Sequence, residues 1–227
     1  MTPQQYPFAF PHRESMREDD FMAADSNRDA LAWIRSVSEW PSHALVLYGP
    51  KGGGKTHLIQ VWLTRERGAA ITPEDLTGKD HVSLTRTTQN LAFDDAEIVA
   101  GDRIAEEALF HLYNHLRSVG GRLLLSAKRP PVEWGVTLPD LLSRLRASTA
   151  TEIQAPDDAL LTALFLKQIY DRQLDIGEDV IKFMIARIER TPDAVADAVD
   201  RLDKLSLAKH AKITVALARE MLKVDKA

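Results

Sequence analysis

The stretch "LYGPKGGGKTHL", residues 47–58, decides the reading of this chain. Gly49, Pro50, Gly52, Gly53, Gly54, Lys55 and Thr56 satisfy G-x-x-x-x-G-K-[ST], directly after the apolar run "ALVLY" (44–48) and ahead of a helical pattern over 55–66. Glycines let backbone N–H groups turn inward around phosphates, and the helix that follows directs its positive end to the same place. Lys55 is expected to neutralise phosphate oxygens, the Thr56 hydroxyl to ligate Mg²⁺, and His57 to join them in binding the nucleotide. A phosphate cradle also asks for an acid at the end of another strand. "NLAFDD" (90–95) supplies Asp94 and Asp95, one to hold Mg²⁺ and the other to orient water.

Around this centre, strand-like runs alternate with helical ones. "AAI" (69–71), "RLLLSA" (122–127) and "ATEIQA" (150–155) read as further strands, and "RIAEEALFHLYNHLRSVGG" (103–121) as a helix closed by glycines. A helix is expected after Asp25, Ser26 or Asn27, with Leu31, Ile34 and Val37 on one face. Residues 77–88 are polar and weakly patterned, and "LPDLLSRLRAS" (138–148) places Arg144 and Arg146 after an apolar turn. Beyond Pro156 only helical patterns remain, over 157–172, 178–189, 192–207 and 214–223. The expected fold class is therefore α/β: a P-loop domain with a parallel sheet over 17–155, then a small all-helical subdomain over 156–227. Residues 1–16 hold three prolines and read as an extended leader.

Composition narrows the function. The 227 residues are 44% hydrophobic and 27% charged, with a net charge of −4, which argues against a protein living on nucleic acid. No membrane-length apolar stretch and no signal-peptide pattern are present, so a cytoplasmic location is expected. Cysteine is absent, which removes disulfides and thiolate metal sites. His111 and His115 lie four apart on a helix, but two imidazoles are short of a zinc ligand set. Trp33, Trp40, Trp62 and Trp134 read as packing residues.

"GPKGGGKTHL", "FDD", "LLLSAKRPP", "SRL" and a helical tail occur in the order of the AAA+ module of the bacterial replication initiator DnaA. With a short leader and no room for a DNA-binding domain, the chain resembles the Hda family, which inactivates DnaA. That resemblance implies binding of ADP or ATP with Mg²⁺, Walker roles for Gly49 to Thr56 and for Asp94 and Asp95, and adenine packing near Phe21 and Met22. It makes Arg144 an arginine finger acting on a neighbour's nucleotide. It makes Gln5, Phe8 and Phe10 in "QYPFAF" a motif for the DNA polymerase sliding clamp (the polymerase III beta subunit), an extended peptide with a polar anchor and apolar side chains. DnaA and the clamp are the implied partners; a homo-oligomer is left open, and neither sequence-specific DNA contact nor a membrane is implied.

Two positions depart from the pattern. Lys128 stands where the sensor 1 segment carries an acid, and Asp193 stands at the sensor 2 arginine, with Arg190 one turn earlier as the alternative guanidinium. Both imply a weak ATPase or none in the chain itself. The rival readings are a helicase-loading or DNA-remodelling AAA+ factor, a small-molecule P-loop kinase, and a clamp adaptor without catalysis.

Overall fold

The computed structural model describes Glu18 and residues 21–224. The leader motif of Gln5, Phe8 and Phe10 lies outside the described residues. Five strands form one parallel sheet in the order β2-β3-β4-β1-β5: β1 (Ala44–Tyr48), β2 (Ala69–Ile71), β3 (Asn90–Phe93), β4 (Arg122–Ala127) and β5 (Thr149–Glu152). Their near-continuous hydrophobicity has a physical cause, because both faces are covered. Ala44 and Val46 of β1 point into a core with Leu109, Leu112 and Leu116 of α5 (Arg103–Val119) and Leu141 and Leu145 of α6 (Pro139–Ala147). Leu45 and Leu47 face the opposite core, with Leu31 and Ile34 of α1 (Arg28–Arg35) and Leu58 and Trp62 of α2 (Lys55–Arg65).

Short helix α3 (Pro73–Gly78) follows β2, and α4 (His81–Leu84) falls in the polar region before β3, where only weak patterning was expected. Thr72 and Asp75 start α3 with a reciprocal capping box, and Asp80 caps α4 through the Ser83 N–H. Asn27 holds the N-cap position of α1 without capping it. Its amide accepts from the Ala24 N–H and donates to the Met22 carbonyl, both at 2.9 Å, and so ties the preceding loop. Val37 falls in a separate 3₁₀ turn, and β3 ends at Phe93, so both acids lie in the turn beyond it. Trp40, Trp62 and Trp134 are buried and Trp33 packs at the edge of a core.

The helical end comprises α7 (Asp158–Asp171), α8 (Glu178–Ile185), α9 (Pro192–Lys209) and α10 (Val215–Val224). Its core, including Leu161, Phe165, Met184, Val199 and Met221, contains no residue of the sheet. The Asp157 carboxylate caps α7, and the Thr191 hydroxyl caps α9 ahead of Pro192. No helix among the described residues is long and apolar enough to cross a membrane.

Two polar groups, the buried Glu106 and the half-buried His43, fix the approach to α6. The Glu106 carboxylate accepts from the N–H groups of Gly101 (2.8 Å), Thr137 (2.9 Å) and Leu138 (2.7 Å) and from the Thr137 hydroxyl (2.8 Å). Burial pushes its pKa up, but these donors outweigh burial and hold it below the usual carboxylate value. His43 sits beneath β1 with Nε2 3.0 Å from the Tyr113 carbonyl. Burial pushes the ring below the usual 6.5, a direction that survives the opposing hydrogen bond and is reinforced by Arg117, Arg122 and Arg144. The native ring thus resists a proton that the unfolded ring accepts. Its contribution to stability is complete above about pH 6.5 and is lost as the pH falls below that value. Urea titrations between pH 5 and 7.5 are expected to show a shallower acid-side loss in His43→Asn than in the wild type.

Candidate nucleotide site

The loop after β1 curls because three of its glycines adopt left-handed backbone: Gly49 (φ 149°), Gly52 (φ 73°) and Gly54 (φ 91°). The absence of side chains is also a spatial requirement. A Cβ on Gly49 would lie 2.0 Å from the Ile153 carbonyl oxygen, and one on Gly52 would lie 2.4 Å from the Thr191 methyl carbon. The helical end therefore rests directly on the loop. Lys55 opens α2, is buried, and donates from Nζ to the Gly49 (2.9 Å) and Pro50 (2.8 Å) carbonyls. Burial lowers its pKa against the pull of Asp95, Asp94 and Glu97.

The Thr56 hydroxyl donates to Asp94 Oδ2 at 2.7 Å. The other Asp94 oxygen accepts from Ser126, a fully buried hydroxyl on β4, whose Oγ also accepts the Asp95 N–H at 2.9 Å. Ser126 thus fixes both acids. Its only sequence signal was a lone hydroxyl within "LLLSA". Asp95 itself is left-handed (φ 51°).

A cavity of about 510 Å³ opens over the loop, lined by Gly52, Gly53, Gly54, Lys55, Thr56 and His57, by Phe21 and Met22, and by Asp95, Lys128 and Asp193. Leu160 and Leu164 of α7 close its apolar side. Gly49, Pro50 and Asp94 stand behind this wall: the first two hold Lys55, and the third holds Thr56. The Phe21 ring meets His57 edge-on at 5.2 Å and lies within 3.1 Å of where a Gly54 Cβ would be. Phe21 is anchored from behind by Glu18, whose carboxylate takes Arg35 Nε and Arg65 Nη1, each at 2.9 Å. Hydrogen bonds from Arg65 and then Arg35 hold the Glu18 carboxyl below its usual value.

Lys128 and Asp193 both face the cavity, and Lys128 Nζ is 3.9 Å from the Glu97 carboxylate. Arg190 does not line it. Its Nε donates to the Pro156 carbonyl at 3.1 Å and its Nη1 to Asp158 at 2.6 Å, so it braces the start of α7. Arg144 is also absent from the lining. It lies near the end of α6, just ahead of β5, at the N-terminal edge of the parallel strands, whereas the cavity lies at their C-terminal edge. His111 and His115 pack with His81, at 6.3 and 4.8 Å between ring centroids, and His115 Nε2 bonds Thr85 at 2.9 Å.

Residues 157–222 match the family model described as "Hda, lid domain". Domain III of the Thermotoga maritima replication initiation protein DnaA superposes with a TM-score of 0.80 at 19% identity, over 94% of this chain and 98% of that one. The chain is DnaA/Hda-like in its fold and in its helical end. AMPPCP-bound DnaA from Aquifex aeolicus gives a TM-score of 0.69 at 20% identity, covering 83% of this chain and 64% of the Aquifex chain. A point mutant of Thermotoga maritima RuvB gives 0.70 at 16% identity, covering 92% and 72%. The segment that matches the lid model is the part that closes the cavity, through Thr191, Leu160 and Leu164.

Proposed function

We propose that this chain regulates replication by holding an adenine nucleotide in its own cavity and presenting Arg144 to the nucleotide of DnaA, while Gln5, Phe8 and Phe10 tether it to the sliding clamp. The observation that carries this reading is the separation of Arg144 from the cavity of its own chain, at opposite edges of the sheet. A guanidinium placed there is out of reach of the chain's own cavity, which supports a role at a neighbour's nucleotide. The domain division expected from sequence, with a leader over 1–16, an α/β unit over 17–155 and a lid over 156–227, belongs to the same proposal.

The cavity fits a nucleotide by its own chemistry. The left-handed glycines leave room for phosphate, Lys55 is a buried cation at the loop mouth, and Phe21 with Met22 and Leu160 forms an apolar wall for a base. The Thr56 hydroxyl and the Asp94 carboxylate are adjacent hard oxygens, suited to Mg²⁺, which would supply charge neutralisation at the phosphates. Ser126 holds the Asp94 carboxylate in place, and Asp95 faces the cavity where it can orient water. AMPPCP is the ligand of the Aquifex aeolicus relative, which supports an adenine nucleotide here.

Asp193 in this cavity opposes extra phosphate charge, so the site favours the diphosphate and a weak hydrolysis of its own. Asp193→Asn is expected to raise ATP affinity relative to ADP roughly three- to tenfold, as for one charge pair about 4 Å apart fully screened by water. Parallel titrations with both nucleotides measure the ratio; an unchanged ratio removes Asp193 from the selection.

The test of the whole reading is phosphate release by DnaA–ATP in the presence of this protein and clamp loaded on DNA, beside a Gln5→Ala/Phe8→Ala variant. Strong stimulation that the leader variant loses supports the tethered regulator. No stimulation by the wild type, with nucleotide bound and clamp engaged, leaves an adaptor without trans catalysis.

A further inference from the structure

Hydrogen bonds centred on His43 and Tyr113 draw three elements together at the edge of the sheet away from the cavity. The His43 carbonyl accepts from the Leu123 N–H at 2.9 Å, which sets Arg122, at the start of β4, beside it. The His43 ring bonds the Tyr113 carbonyl on α5, one helical turn ahead of Arg117, and packs edge-on to the Tyr113 ring at 4.3 Å. The Tyr113 hydroxyl donates to the Arg144 carbonyl on α6 at 3.3 Å, and the Ser148 hydroxyl donates to the same oxygen at 3.0 Å. Three arginines from α5, β4 and α6 are thereby gathered around one framework. The positive field of all three reaches the His43 ring.

Among the described residues, none of the three has a carboxylate within ion-pair distance. Arg67, Arg86, Arg129, Arg146, Arg187 and Arg219 also lack one, so what distinguishes these three is their grouping on one framework. Arg35, Arg65, Arg103, Arg172 and Arg190 each have a carboxylate within 3.5 Å. Grouped like charges repel, and a nearby acid on any of the three elements would relieve them. A rigid cluster left open in this way suits an anion that arrives from outside. Guanidinium forks match phosphate and carboxylate alike, but a phosphate chain offers oxygens to several forks at once.

We propose that Arg117 and Arg122 join Arg144 in a composite receptor for the phosphate chain of a nucleotide carried by the partner protein. Arg117 and Arg122 hold the phosphates, and Arg144 acts on the reacting one. The proposal rests on the trans role of Arg144 given above. It adds two binding residues and assigns the His43–Tyr113 pair the task of fixing their spacing.

The experiment uses the full chain with Arg117→Ala and Arg122→Ala, singly and together, each checked for an unchanged melting temperature. In the DnaA–ATP assay the double variant is expected to raise the half-saturating concentration roughly tenfold, the worth of one charge-assisted hydrogen bond, and to shift it more than the saturating rate. A second arm measures tripolyphosphate binding by calorimetry in a Lys55→Ala background, which disables the chain's own loop. Affinity there is expected to fall about as much in the double variant. Unchanged values in both arms overturn the proposal, as does competition by polyglutamate but not by tripolyphosphate, which would make the surface a carboxylate receptor. If the wild type fails to stimulate DnaA, the trans reading of Arg144 falls and the tripolyphosphate arm alone decides whether these arginines take phosphate.

Discussion

Arg144→Ala is expected to abolish the stimulation of DnaA hydrolysis, a loss of ~10³-fold or more on the scale of arginine fingers that act in trans. The fold gives a reason to expect this without collapse of the protein. Arg144 holds α6 in place through its backbone: its carbonyl accepts from Tyr113 and Ser148, and its helix is seated by the buried Leu141 and Leu145. The side chain has no carboxylate partner among the described residues, so its truncation leaves no buried charge behind. The melting temperature and the chain's own ADP affinity therefore serve as controls, and both should match the wild type. Arg144→Lys retains the charge but loses the planar fork, and is expected to recover only a small part of the stimulation. A well-folded Arg144→Ala protein that still stimulates fully would remove the finger from the mechanism.

The elements built from regular patterns were legible from sequence. β1, β2 and β4 run over the residues that their apolar runs mark, because a parallel sheet covered on both faces needs apolar side chains at every position. The loop residues could be read because glycine spacing encodes backbone conformation directly. What escaped was set by tertiary contact. Helix α6 lies in "LPDLLSRLRAS", where two turns of apolar periodicity were too short to separate a helix from a loop. Glu106 looks like any acid on an amphipathic helix until Thr137 and Leu138 are placed against it. Ser126 looks like an accident in a strand until Asp94 and Asp95 converge on it. The acids themselves sit past the strand end, since β3 must stop for Asp95 to adopt its left-handed turn. Arg190 and Asp193 lie three residues apart, and sequence could not tell which of them faces the phosphate loop. The answer depends on Thr191 and Pro192 starting α9 between them, which leaves Arg190 on the α7 side and Asp193 in the first turn over the cavity.

The same substitution at two glycines of the loop is expected to fail in two different ways. In Gly49→Ala the new methyl meets backbone, 2.0 Å from the Ile153 carbonyl oxygen. Ile153 cannot retreat, because its N–H donates to the Tyr48 carbonyl at 2.7 Å and continues the β1–β5 pairing. The clash is therefore relieved only by opening the sheet edge, at a cost on the order of 3 kcal/mol or more. That corresponds to a fall in melting temperature of roughly 6–12 °C for a chain of this size. In Gly52→Ala the methyl meets the lid, 2.4 and 2.5 Å from the Thr191 side-chain carbons. The lid can swing back without disturbing the sheet, and the left-handed strain adds only about 1 kcal/mol. The melting temperature should fall by a few degrees at most, whereas ADP affinity should drop by about a hundredfold as lid and loop part, the worth of about two lost charge-assisted hydrogen bonds. Thr191→Ser removes the methyl while keeping the hydroxyl that accepts from the Ala194 N–H at 3.1 Å. Combined with Gly52→Ala, it is expected to restore part of that affinity, whereas in a Gly49→Ala background it should restore none. Scanning calorimetry and ADP titration on the four proteins separate the two mechanisms. A Gly52→Ala protein that binds ADP like the wild type would show that the lid contact has no part in holding the nucleotide.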